Sequence, residues 1–138
     1  MRKRTLAREI ALQALYQYDL QKKTEPIRPE ALESFVEEAT GDPAVREYAR
    51  ILLGGTIHRM EDLDTRIAAA AQNWKLGRMA PVDRCILRLA IFELLESEDV
   101  PPKVAINEAV DLAKKFSTEQ SGAFVNGILD KIFSELRR

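Results

Sequence analysis

The chain has 138 residues, 46% apolar and 31% charged, with a net charge of −1, which describes one ordinary globular domain around a single core. One cysteine forms no internal disulfide, and one cysteine with one histidine makes no ordinary zinc site. No apolar run approaches the roughly 20 residues of a membrane span, and the charged, then amphipathic N-terminus does not read as a signal peptide, so a membrane role is excluded and a reducing cytoplasm is expected.

Every segment reads as helix, because no stretch sustains period-two alternation with β-branched residues and turn signals. A first helix is expected from about Thr5 to Gln21, with Leu6, Ile10, Ala14 and Tyr18 along one line and Leu12, Leu15 and Leu20 widening the apolar face. Pro26 and Pro29 mark the next loop, and Pro29 suits the first turn of a second helix striped by Leu32, Phe35, Val36 and Ala39, with Gly41 as its stop. Asp42-Pro43 joins a capping carboxylate to a proline at the first helical position. From Val45 the apolar pattern runs to about Gln72, long enough to predict a break between His58 and Asp62. Gly54-Gly55 lowers helix propensity by about 1 kcal/mol per glycine; close approach of another helix would explain both.

Residues 73–80 are expected to connect this region to a helix opened by Pro81. Ile86, Leu87, Leu89, Ala90, Ile91, Leu94 and Leu95 crowd nearly all sides of that helix, which makes it central. Asp99-Val100-Pro101-Pro102 is a turn before a helix reaching Phe116. Ser117 and Gln120 fit a capping box for a last helix, striped by Phe124, Val125, Ile128, Leu129, Ile132, Phe133 and Leu136. The total is six or seven helices, with no internal repeat.

Catalytic chemistry finds no foothold. The sequence lacks a Gly-rich phosphate loop, paired cysteines and a His-Glu-x-x-His motif, so no catalytic residue, metal or cofactor is expected. Cys85, among Ile86, Leu87 and Leu89, acts as a small hydrophobe, and His58 reads as a surface histidine.

Charge, by contrast, is segregated. Residues 1–23 carry six bases against two acids (+4), whereas residues 24–64 carry four bases against ten acids (−6). Arg2, Lys3, Arg4 and Arg8 supply groups that bind phosphate oxygens. Gln13 and Tyr16 follow in the same segment, an amide that can read a base edge and a ring that can stack on an unpaired base. Tyr16 fits core packing against Leu12 and Leu20 equally well. The stretch from Lys114 to Phe124 offers a basic approach and the open N–H groups of a helix start, which favour an anion; a plain helix–helix turn is its other reading.

These residues resemble the NusB family of bacterial transcription antitermination factors. Arg8-Glu9 with Gln13-Ala14-Leu15-Tyr16 is similar to the family's first helix, and Val82-Asp83-Arg84, Ile86-Leu87-Arg88-Leu89-Ala90 and Phe92-Glu93-Leu94 to its fifth. Asp99-Val100-Pro101, Lys103 to Ala109 and Leu112-Ala113-Lys114 resemble the sixth, and Phe124 to Lys131 the seventh. The resemblance implies an all-α fold of about seven helices in two packed subdomains, roughly residues 1–74 and 75–138. It implies RNA binding without catalysis: such proteins pair with a small ribosomal protein, NusE, recognise boxA RNA of ribosomal RNA leader transcripts, and join the RNA polymerase antitermination complex that reads through terminators.

Carried onto this chain, the RNA face comprises Arg2, Lys3, Arg4, Arg8, Gln13, Tyr16, Ser121, Gly122 and Phe124, and Asp83 matches an acidic position at the ribosomal-protein contact. Gln120 stands where some relatives have an acid and Ala123 where a Lys occurs, which weakens charge-based contact at that corner. The same fold also occurs fused to an rRNA cytosine methyltransferase; with no room for one in 138 residues, this chain is expected to be free-standing. The rival reading is a protein-only helical adaptor or homodimer without direct RNA contact, its basic N-terminus merely solvated.

Overall fold

The computed structural model describes residues 2–21, 28–71 and 79–136. Among them lie seven helices and no strand: α1 (Lys3–Gln21), α2 (Pro29–Ala39), α3 (Pro43–His58), α4 (Met60–Ala70), α5 (Pro81–Glu96), α6 (Pro102–Phe116) and α7 (Glu119–Leu136). Pro26 and the expected connector around Gly77 fall outside the described residues. Prolines open α2, α3, α5 and α6, where the missing N–H has no helical partner to lose. Asp42 caps α3 by accepting the Ala44 N–H at 2.9 Å.

The expected break in the long central pattern is a single residue, Arg59. Its N–H still donates to the Gly55 carbonyl at 3.1 Å, and its own carbonyl accepts from Leu63 at 3.0 Å, so the chain turns without losing its backbone bonds. Of the two glycines before it, only Gly55 meets a neighbour. A Cβ there would lie 2.1 Å from the Phe92 ring, whereas Gly54 faces open space.

The predicted central helix is central: α5 packs against α1, α3, α4, α6 and α7. The apolar crowding on it was legible, but its burial of charge was not. Asp83, Arg88 and Glu93 on α5 are all under 10% exposed, and buried charge persists only when paired. Arg88 donates to Asp19 of α1 at 2.9 Å and to Asp64 of α4 at 2.6 Å, and Arg84 reaches Asp19 at 2.5 Å. Burial pushes the Asp19 carboxyl up, but the two guanidinium groups more than offset it and hold it below its usual range. Cys85 is fully buried beside this cluster, and burial pushes its thiol up to about 12.

Two local expectations are corrected. α1 begins at Lys3, not near Thr5, so most of the basic run is helical. The cap of α7 is Thr118, one residue beyond Ser117: its hydroxyl accepts the Ser121 N–H at 3.0 Å. That bond occupies an N–H group expected to be open to an anion.

Candidate nucleic-acid interface

The N-terminal cations are not a loose arm. Lys3 lies 3.1 Å from Asp42, and Arg4 donates to Asp99 at 2.8 Å while its guanidinium sits 4.4 Å above the Tyr48 ring. Arg8 is 6% exposed and binds Glu93 through two parallel bonds of 2.9 Å, the bidentate geometry favoured between guanidinium and carboxylate. Tyr48 donates its hydroxyl to the same Glu93 carboxylate, and Glu108 approaches Arg8 at 3.4 Å. Thr5 donates to Glu108 at 2.8 Å. Arg8 therefore ties α1 to α5 and α6, and the expectation that it meets phosphate as a free surface cation is corrected. Burial and the adjoining Glu93 push the Tyr48 hydroxyl above its ordinary range.

Next along α1, Gln13 is exposed, and Tyr16 is half-buried against the core. The two alternatives for Tyr16 thus meet in one ring, part packed and part open. Between Gln13 and the basic end lies Glu9, which receives the Lys115 ammonium from α6. This ion pair links the α1 face to the end of α6, from which the chain turns into α7.

At that turn sit the remaining expected residues. Ser121 is 8% exposed and donates to Asp83 Oδ2 at 2.9 Å. Its hydroxyl also meets those of Ser117 at 2.9 Å and Thr118 at 3.0 Å. Gly122 is buried, and a Cβ there would come within 3.0 Å of the Lys114 side chain. Ser121 and Gly122 are thus mostly enclosed where RNA contact was expected, with Ser121 bordering the pocket beside Phe124. Phe124 is half-buried and, with Met79, Asp83, Thr118 and Gln120, lines an open pocket of about 250 Å³. Asp83 Oδ1 is buried without a hydrogen-bond partner.

Sequence reasoning named residues of α1, α5 and α7 but missed Asp42, Tyr48, Glu93, Asp99, Glu108 and Lys115, which hold several of them in place. Their partners lie tens of residues away along the chain, so no local spacing shows them. One signal was present: Arg8, Leu12, Leu15 and Asp19 follow a four-three-four spacing on one helix face, and Leu12 and Leu15 mark that face as buried. Among the described residues no group of three His, Cys, Asp or Glu is placed to hold a metal ion, and no helix is long and apolar enough to cross a membrane.

The chain is similar to known proteins along nearly its whole length. The model of the NusB family matches residues 5–134. A transcription antitermination protein NusB of Geobacter sulfurreducens is 46% identical over 134 residues, covering 96% of this chain and 95% of that one. The corresponding protein of Chloroherpeton thalassium is 42% identical over 130 residues; the match covers 94% of this chain and 61% of that longer protein. A crystal structure of the antitermination factors NusB and NusE in complex with double-stranded RNA contains a chain that superposes with a TM-score of 0.86, at 32% identity, over 98% of both chains.

Proposed function

Because the chain belongs to the NusB family, we propose that it is a non-catalytic transcription antitermination factor that binds boxA RNA of ribosomal leader transcripts together with NusE, in the bacterial cytoplasm, so that RNA polymerase reads through terminators. The observation that carries this reading is the end-to-end likeness to a chain of a solved complex of NusB and NusE with double-stranded RNA, joined to a surface of suitable chemistry here. Arg2, Lys3 and Arg4 bring positive charge to the start of α1, and Gln13 and the open part of Tyr16 continue along the helix.

In this reading the three N-terminal cations meet phosphates, Gln13 reads a base edge and Tyr16 stacks on a base. Phe124 forms the border at the α7 corner. Arg8, Ser121 and Gly122 act from behind, holding α1 and α7 in place. Asp83 lines the pocket beside Phe124, the place where the protein partner would sit in this reading.

The test is a fluorescence titration of labelled boxA RNA, and of a scrambled RNA of equal length, with and without NusE. Tighter binding of boxA than of the scrambled strand, strengthened by NusE, is the expected result. Equal, weak binding of both RNAs in the presence of NusE would favour the protein-only adaptor instead.

A further inference from the structure

Lys3, Arg4 and Arg8 each sit against a carboxylate of this same chain, and the three pairs differ in depth. The Arg8 and Glu93 side chains are 7% and 3% exposed, a structural pair. Asp42, beside Lys3, also caps α3. The Arg4–Asp99 pair is open, its side chains 45% and 67% exposed; Lys3 and Asp42 are 68% and 33% exposed, but Asp99, unlike Asp42, bonds through its side chain to no other described residue.

The surroundings of Arg4 are built to keep it in place. Its guanidinium lies over the Tyr48 ring at 4.4 Å, and that ring is fixed through its hydroxyl on buried Glu93. The donors of Arg4 are therefore aimed whether or not Asp99 is bound. A guanidinium fork donates to carboxylate and phosphate oxygens in the same geometry. The pair borders an open groove of about 360 Å³, lined by Arg2, Lys3 and Arg4 at the start of α1 on one side and by Asp99, Pro101 and Val104 on the other, which leaves room for a backbone phosphate.

We propose that Asp99 sets the RNA affinity of this surface by occupying the Arg4 guanidinium as an internal stand-in for phosphate, so that an RNA phosphate binds Arg4 only by displacing the Asp99 carboxylate. Asp99 is here a positioning and affinity-setting residue, and the inference rests on the reading that the N-terminal cations meet RNA. An exposed pair of this kind is weak, so its displacement lowers affinity by roughly two- to fivefold. Such a modest barrier leaves binding possible.

The experiment titrates labelled single-stranded boxA RNA with four full-length proteins: wild type, Asp99→Asn, Arg4→Ala and the double variant. Both side chains are exposed, so unfolding midpoints should stay within about two degrees of wild type. Asp99→Asn should bind roughly two- to fivefold tighter, Arg4→Ala should bind more weakly, and Asp99→Asn should give no gain once Arg4 is gone. An equal gain with and without Arg4 would overturn the proposal, because Asp99 would then act only by general repulsion of RNA. No gain from Asp99→Asn, with Arg4→Ala still weakened, would overturn it while sparing the RNA surface. Unchanged affinity in Arg4→Ala would remove the underlying RNA reading at this site, and the inference with it.

Discussion

Ser121 donates its hydroxyl hydrogen to Asp83 across 2.9 Å, between α7 and α5. The first was expected to face RNA and the second a protein partner, yet the two form one hydrogen-bonded unit. Only Asp83 keeps a free acceptor, Oδ1.

The two substitutions should therefore separate. Asp83→Asn retains the shape of the side chain but removes its charge. It should weaken NusE binding by about tenfold or more, the scale of a lost hydrogen bond to a charged group, and change RNA affinity of the isolated chain less than about twofold. Ser121→Ala strips a partner from a buried carboxylate and should lower stability by about 1–3 kcal/mol. Calorimetric titration and thermal unfolding read the two effects. Equal loss of RNA and NusE binding in Asp83→Asn, with the unfolding midpoint unchanged, would contradict this division of roles.

Arg8→Ala should act first on the fold. It leaves Glu93, 3% exposed, as a buried charge without its guanidinium, a loss of about 3–5 kcal/mol. Arg8→Lys should recover only part of this, since an ammonium cannot make two parallel bonds. Urea unfolding checks both. If Arg8→Ala weakened RNA binding several-fold with an unchanged midpoint, Arg8 would be a direct RNA contact after all.

The paired glycines of α3 should respond in opposite directions. Gly54 faces open space, so Gly54→Ala should stabilise the helix by up to about 1 kcal/mol. At Gly55 the added methyl would overlap the Phe92 ring, 2.1 Å away. Gly55→Ala should destabilise by about 1–3 kcal/mol as α3 and α5 are forced apart. Denaturation midpoints of the two variants on opposite sides of wild type are the expected result; a gain at Gly55 would mean that the ring moves freely.

These residues also show what the sequence could and could not reveal. Prolines at helix starts, the Asp42 cap and the run of apolar residues on α5 are local features, and they placed the helices to within a few residues. The turn at Arg59 was legible because a pattern continuing past it was too long for one helix. Charge pairing was not legible: Arg4 and Asp99 are 95 residues apart, Arg8 and Glu93 85, and only packing of α1 on α5 and α6 brings them together. A basic run read alone looks free, because its counter-charges lie on distant helices and connecting turns. Arg8 misled most, for it continues the run of Arg2, Lys3 and Arg4 in sequence while standing on the buried face in space.

Tyr16 carries the last prediction, since it is the residue whose two roles overlap. The ring is half-buried and packs on the core, so Tyr16→Ala should lower the unfolding midpoint by several degrees as well as weaken RNA binding. Tyr16→Leu separates the effects: it refills most of the packed volume but offers no aromatic face. Its midpoint should stay near wild type, while RNA affinity measured well below that midpoint falls by roughly 1–3 kcal/mol, the value of one stacked base. Stacking is uncharged, so the slope of log affinity against log salt should not change. Arg2→Ala gives the complementary signature. Arg2 is exposed and has no ion pair with a described residue, and loss of one phosphate contact to single-stranded RNA should flatten that slope by about 0.7. Tyr16→Leu should thus shift the salt line without tilting it, and Arg2→Ala should tilt it. Wild-type RNA affinity in a well-folded Tyr16→Leu protein would make Tyr16 a core residue only, and would leave Gln13 alone to read bases along this face.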